Sequence, residues 1–92
     1  MSVFQVELPK KMRKIRKFLD LKQAEIAHEM DISTSGYSKI ERGEIFHFSL
    51  ARLEQFANIT GLPVLDLLSK STDELIHLII ERRNRPTTEP MR

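Results

Sequence analysis

The sequence predicts an all-α domain of five helices with an additional C-terminal helix. Apolar residues recur at intervals of three and four, as they do along one face of a helix. Serine, glycine and proline stand between these segments, where they start or stop helices. With 40% hydrophobic residues, 30% charged residues and only three glycines, the 92-residue chain has the composition of one folded helical domain.

The N-terminal segment allows two interpretations. Residues 1–7 alternate apolar and polar side chains, which favours an extended arm, although the apolar residues also fit helical spacing. Pro9 suits the first turn of a helix, because a residue there makes no use of a backbone N–H. We therefore predict an N-terminal arm over 1–7 and a first helix over about 9–19.

Positive charge is concentrated in the first half of the chain. Residues 10–42 carry nine Lys or Arg against five Asp or Glu, whereas residues 43–92 carry six against seven. The densest run extends from Lys10 to Lys17. Its charges circle the predicted helix and are not confined to one face, so the run is interpreted as a solvated helix surface.

Two short helices joined by a sharp turn follow, over about 22–30 and 34–41. Ser33 is a good N-cap for the second of them, because a serine hydroxyl can accept from a free backbone N–H. Ala27 lets the two helices cross closely, and Ile32 plugs the core at the turn. These are the parts of a helix-turn-helix, although a generic helical hairpin shows much of the same spacing.

Caps and stops divide the next segment into two helices. Gly43 and Gly61 are placed to end helices in the left-handed conformation that glycine adopts without strain. Ser49 caps a fourth helix that runs to about residue 60, after a loop over 44–48. Pro63 opens a short fifth helix, which completes a domain over 8–70.

The last predicted helix covers 71–85, with Ser71 and Glu74 as a capping box, and 86–92 is expected to be a flexible tail. Its apolar residues wrap more than one face, which favours cover by a second copy of the chain, although a helix wholly sunk into its own core is the alternative. The residues assigned to this dimer interface are Leu75, Ile76, Ile79 and Ile80.

Residues 16–43 closely resemble the Cro/repressor-like (XRE-type) helix-turn-helix family. The segments 50–57 and 62–68 look like that family's fourth and fifth helices, so the resemblance covers about 8–68. It implies a repressor-like five-helix domain whose third helix lies in the major groove of double-stranded DNA. The residues that carry the resemblance are Arg16, Gln23, Glu25-Ile26-Ala27, Ile32-Ser33 and Ile40-Glu41-Arg42-Gly43.

The resemblance also assigns contacts to individual positions. Side chains at the start of the third helix, and one turn later, reach base edges, and Lys39 can hold either guanine or a phosphate. Gln23 contacts a phosphate in the family, while Lys22 and Arg42 are either phosphate contacts or plain solvated charge. The predicted base contacts are Thr34, Ser35, Ser38 and Lys39, and the predicted phosphate contacts are Lys22, Gln23 and Arg42.

Arg16 and Glu41 pair in the family between the first and third helices, which implies a structural ion pair that braces the recognition helix. The chain also departs from the family pattern. Asp31 stands where glycine is frequent, Lys22 replaces the usual Ser or Thr cap, and Gly36 interrupts the recognition helix. A fourth departure is the loop sequence Phe46-His47-Phe48.

The function that follows is sequence-specific binding of double-stranded DNA by a transcriptional regulator. We expect a homodimer that represses transcription from a near-palindromic operator. The alternative is an antitoxin-like subunit that binds a toxin-like partner protein and autoregulates its operon. A domain that kept the fold but lost DNA binding is less favoured, since Gln23, Lys39 and Arg42 are present together.

Other functional classes find no support in the sequence. Cysteine is absent, and His28, His47 and His77 lie on separate elements without metal-ligand spacing, so we expect no enzyme, no metal and no cofactor. No apolar run approaches a membrane span, and the N-terminus lacks the order of a signal peptide. We therefore expect a cytoplasmic protein.

Overall fold

The structure, a computed structural model, describes residues 3–44 and 49–84. Within these ranges the chain is all-helical, as predicted, and contains no strand. A helix-turn-helix domain of five helices is followed by the additional C-terminal helix. The helices are α1 (Val3–Phe18), α2 (Gln23–Glu29), α3 (Thr34–Glu41), α4 (Leu50–Thr60), α5 (Val64–Ser69) and α6 (Thr72–Asn84).

Helix α1 begins at Val3, so the prediction of an extended arm is wrong for residues 3–7. Leu8 is buried together with Met12 and Ile15, so the helical spacing of these apolar residues overrides the alternation before them. Pro9 consequently lies inside the helix instead of in its first turn. The first two residues of the predicted arm, and the predicted tail over 86–92, lie outside the described residues.

The core receives side chains from every helix. Tyr37 of α3 and Phe56 of α4 are its largest fully buried side chains. Each fully buried large apolar side chain contributes about 1.5–3 kcal/mol relative to exposure, so this cluster is the main source of stability. Its members are Leu8, Met12, Ile15, Ile26, Ala27, Met30, Tyr37, Ile40, Leu53, Phe56, Ala57, Leu62, Leu67, Leu75 and Ile79.

The predicted helix caps are confirmed. The Ser33 hydroxyl accepts from the Gly36 N–H at 2.9 Å, and Ser49 caps α4 in the same way. Ser71 and Glu74 form both halves of a capping box at the start of α6, at 3.1 and 2.9 Å. Each cap satisfies a backbone donor that has no partner inside its own helix.

Left-handed backbone marks the turns, as the sequence indicated. Gly43 and Gly61 have φ of 74° and 77° and lie just after α3 and α4. Asp31, in the place where glycine is frequent in the family, adopts φ 59°, which aspartate tolerates better than most residues. Asp20, between α1 and α2, has the same kind of conformation, which the sequence did not indicate.

Helix α6 packs on its own chain, which corrects part of the dimer prediction. Leu75 and Ile79 are 0% and 6% exposed, so both belong to the core of their own subunit and the interface assignment is wrong for them. The i, i+4 pair faces α1, as an amphipathic helix requires. Ile76 is half-buried and Ile80 is 38% exposed, so these two remain at the surface.

Two arginines fasten the end of α6. Arg82 donates to the Gly61 carbonyl at the end of α4. The Arg83 guanidinium lies 5.4 Å from the centroid of the Phe18 ring at the end of α1, a cation–π arrangement. These two contacts join the C-terminal helix to the end of α4 and to the end of α1.

Candidate nucleic-acid interface

Helices α2 and α3 are joined by a tight turn and pack against each other. Ile26, Ala27 and Met30 face the core from α2. The Ile32 N–H donates to the Ala27 carbonyl at 3.0 Å, which closes the turn around the left-handed Asp31. This local geometry lets the chain begin a new helix after only four intervening residues.

Helix α3 has one buried face and one free face. Tyr37, Ile40 and Glu41 point inward. The free face exposes side chains that form hydrogen bonds readily: two hydroxyls in the first turn and an ammonium group one turn later. The predicted base-contacting residues all share this face, with Thr34, Ser35 and Lys39 exposed and Ser38 half-buried.

Arg42 is less free than the sequence indicated. One of its terminal nitrogens donates to the Ser38 hydroxyl at 2.5 Å, and its Nε lies 2.7 Å from a carboxylate oxygen of Glu44. The hydrogen bond between Arg42 and Glu44 raises the pKa of Arg42 and lowers the pKa of Glu44. Both side chains are about half exposed, and exposed ion pairs contribute little, so an incoming phosphate can take the place of Glu44.

The N-terminus of α2 carries the other predicted phosphate contacts. Lys22 is exposed and occupies the N-cap position, and its backbone N–H donates to Glu25 at 2.6 Å. Glu25 therefore supplies one half of a capping box, but no side chain caps the first N–H groups of α2, as the replacement of the usual Ser or Thr by Lys22 indicated. The Gln23 amide donates to Glu41 at 3.0 Å, so it is already bonded within the protein.

Arg16 and Glu41 lie in contact across α1 and α3. Arg16 Nε is 2.6 Å from Glu41 Oε2, and its Nη2 is 3.1 Å from Oε1, which makes a bidentate pair. Another Arg16 nitrogen donates to the Leu21 carbonyl at 2.9 Å. Because Gln23 bonds the same carboxylate, Glu41 links α1, α2 and α3.

Burial sets the electrostatics of this cluster. Arg16 and Glu41 are 8% and 6% exposed. Burial alone would raise the pKa of Glu41, but hydrogen bonds from Arg16 and Gln23 outweigh it and hold that pKa below its ordinary value. The same pairing raises the pKa of Arg16. Both groups are therefore charged near neutral pH, and the angle of α3 rests on a satisfied buried charge pair.

Three polar residues that support the interface were not singled out from the sequence. Tyr37 is fully buried beneath α3, and its hydroxyl has no hydrogen-bond partner among the described residues. Burial, with the Glu41 carboxylate nearby, raises the pKa of that hydroxyl. Lys11 is buried and donates to the Leu67 carbonyl at 2.8 Å, and Arg52 donates to the Met30 carbonyl at 2.6 Å.

The spacing of Tyr37 with Ile40 and Glu41 contained a signal, because residues three and four apart share a helix face. Lys11 and Arg52 gave none: Lys11 stands in a run of cations typical of a solvated surface, and Arg52 is a single cation on a helix. Their partners are backbone carbonyls at the ends of other helices. Long-range packing brings these carbonyls next to the two cations, and a local sequence pattern contains no information about such packing.

Within residues 3–44 and 49–84, no cluster of three or more His, Asp or Glu side chains is placed to hold a metal ion. No helix of this described part has both the length and the apolar character needed to cross a membrane. The Phe46-His47-Phe48 loop, with His47, lies outside these ranges.

The fold and the free face of α3 define a helix-turn-helix DNA-binding protein. A family model described as Helix-turn-helix matches residues 12–67, from the middle of α1 into α5. The match covers more than half of the chain, so the protein belongs to the XRE-type helix-turn-helix family and is a DNA-binding transcription regulator of that type. Searches of curated proteins and of solved structures gave no match.

Proposed function

We propose that the protein is a sequence-specific transcriptional repressor that binds a near-palindromic operator as a homodimer. The observation that carries the proposal is the division of α3 into a buried face and a free polar face, fixed in angle by Glu41 and the α2–α3 turn. A helix presented in this way fits the major groove of B-form DNA.

Base reading is assigned to the free face of α3. Thr34 and Ser35 stand in its first turn, where hydroxyls can donate to or accept from base edges. Lys39 is exposed and can donate to guanine or to a phosphate. Ser38 shares its hydroxyl with Arg42, so we assign it a role in aligning that arginine as well as in base contact.

Phosphate contacts are assigned to Lys22, Gln23 and Arg42. A primary amide has two N–H donors, and Gln23 uses one of them on Glu41, so the other remains for a phosphate. Arg42 has five N–H donors and an exposed side chain, so it can bind a phosphate while it keeps Ser38. These contacts set affinity and not sequence preference.

Dimerisation is assigned to the surface flank of α6 that holds Ile76 and Ile80. These two residues are the members of the predicted interface that their own chain does not bury. A two-fold dimer places its recognition helices one helical turn of DNA apart, ~34 Å. Repression is the expected outcome, because a small domain at a promoter occludes it. A cytoplasmic location stays part of this proposal.

Selection of random duplex DNA by the purified protein at near-physiological salt tests these assignments. Enrichment of an inverted repeat with half-sites about one helical turn apart supports both recognition and dimerisation. A motif without a repeat supports recognition and counts against the dimer. No enriched sequence refutes the proposed function.

One observation favours the antitoxin-like alternative. A shallow groove between α2 and the end of α4 has an apolar floor and an acidic rim. Such a groove can hold a partner protein. Leu21, Ala24 and Ile59 contribute to its floor, and Glu25 and Glu29 to its rim. Co-purification with the product of a neighbouring gene, lost on Ala24→Arg, would support this alternative, and unchanged binding by the variant would count against it.

A further inference from the structure

Four exposed cations of α1 share one face. Lys10, Arg13, Lys14 and Lys17 stand at positions i, i+3, i+4 and i+7, and all four are exposed. The other two cations of the same run are buried and bonded: Lys11 to a carbonyl of α5, and Arg16 to Glu41. The interpretation of the run as a solvated helix surface is therefore wrong for Lys11 and Arg16. We call the four exposed residues the basic row.

The basic row has no acidic partner within the part of the chain that the structure describes. The ion pairs there join Arg16 to Glu41, Arg42 to Glu44 and His77 to Glu81. Like charges three and four residues apart destabilise a helix, and the row contains four such pairs. The fold thus carries an uncompensated concentration of positive charge that its own packing does not explain.

The row is held in a fixed orientation relative to the recognition helix. It lies on the side of α1 opposite the buried Leu8, Met12 and Ile15. Arg16 joins the same helix to α3 through Glu41. Residues 10 to 17 span about 10 Å of helix axis, over which one DNA strand presents about three phosphates.

We infer that the basic row is a second phosphate-binding surface, separate from the contacts of α2 and α3, that binds the sugar-phosphate backbone of duplex DNA. The inference rests on the proposed function. A membrane-binding helix needs an exposed apolar face beside its cations, whereas the apolar face of α1 is buried in the core. A regularly charged polyanion is the ligand that matches the row.

The test compares full-length native protein with Lys10→Gln/Arg13→Gln/Lys14→Gln/Lys17→Gln. Binding to the selected operator and to a scrambled duplex of equal length is measured from about 50 to 200 mM salt. Each lost phosphate contact lowers the slope of log affinity against log salt by about 0.9, so loss of the contacts that the row can make to one strand lowers it by about 3. Affinity should fall by the same factor for both duplexes, because the row reads no bases.

A matched pair of double variants separates the row from net charge. Lys10→Gln/Lys14→Gln removes two charges from the row. Asn58→Asp/Leu65→Glu lowers the net charge equally at two exposed positions on α4 and α5. The row variant should lose about 1–2 units of slope, and the control should lose clearly less. Far-UV circular dichroism should show native helix in each variant, since exposed side chains are changed. If the quadruple variant loses helix, the comparison of salt slopes between the two double variants tests the inference.

Equal slopes for the row variant and its control would overturn the inference, and so would a changed preferred sequence. Binding of phosphatidylserine vesicles that depends on the row, with duplex binding unaffected, would overturn it in favour of a membrane surface. A native protein that binds duplexes through the row but prefers no sequence refutes the proposed function and leaves the inference standing. Sequence preference with a row-independent slope refutes the inference alone.

Discussion

Replacing Arg16 with methionine should lower the free energy of unfolding, because it breaks the buried Arg16–Glu41 pair that orients α3. The substitution keeps much of the side-chain length but removes the cation that binds Glu41 at 2.6 and 3.1 Å. Glu41 is 6% exposed and would keep Gln23 as a donor. Breaking a buried pair by removing one partner costs about 3–5 kcal/mol. Domains of this kind have total stabilities of about 5–15 kcal/mol, so the loss should be plain in a urea denaturation curve.

The pH dependence of the loss identifies Glu41 as its cause. In the native protein the pKa of Glu41 is held below its ordinary value, so its contribution to stability is present above about pH 4.3 and declines as pH falls through the lowered pKa. Without Arg16, burial raises that pKa, and stability is instead lost as pH rises through it. The difference between native protein and variant should therefore be largest near pH 7 and should shrink only as pH falls through the lowered pKa of Glu41.

A double-mutant cycle with Glu41→Gln provides the assay. Each single variant leaves one buried charge unmatched, whereas Arg16→Met/Glu41→Gln removes both, so the double variant should be more stable than the two single losses together imply. Arg13→Met is the matched control, because Arg13 is exposed one turn away and should cost no more than about 0.5 kcal/mol. A cost for Arg16→Met below about 1 kcal/mol, or one independent of pH, would refute the reasoning.

Other substitutions test the remaining assignments. Lys39→Ala should weaken operator binding, and Gln23→Ala should weaken binding to every sequence alike in a mobility-shift assay; a new preferred site with Gln23→Ala would contradict its role. Tyr37→Phe should change the free energy of unfolding by less than about 1 kcal/mol, because the lost hydroxyl has no partner among the described residues, and a larger loss would reveal one. Ile80→Glu should yield monomers in sedimentation without unfolding, whereas Leu75→Ala should cost about 2–5 kcal/mol in thermal or urea unfolding. Dimeric Ile80→Glu would count against the α6 interface.

The parts of the fold that the sequence predicted depend on local chemistry. Ser33 starts α3 because its own hydroxyl accepts from a backbone N–H three residues on. The left-handed Asp31 and Gly43 are likewise decided by their own backbone preferences. These interactions reach no further than a few residues, so the spacing of residue types is enough to find them.

The parts that were missed depend on what lies across the fold. The apolar residues from Phe4 to Leu8 fit two periodicities, and the burial of Leu8 in the core, which depends on distant residues, favours the helix. Leu75 and Ile79 belong to the core because α6 folds back on α1, which a helix pattern does not state. Lys11 can be buried because it donates a hydrogen bond to the Leu67 carbonyl, which is 56 positions away in sequence.

Pro9 leaves a gap in the hydrogen-bond ladder of α1. It has no N–H to donate to the carbonyl of residue 5, so the backbone over 3–8 is coupled to the rest of the helix by one bond fewer. The part of α1 after Pro9 carries Arg16 and is bonded to α3. Local opening can therefore release residues 3–7, which precede the buried Leu8, at a low free-energy cost while the helix-turn-helix stays intact. The amides before Pro9 should exchange with deuterium faster than those after it. The start of α1 is then a segment that can detach from the rest of the helix and fold again on a neighbouring surface.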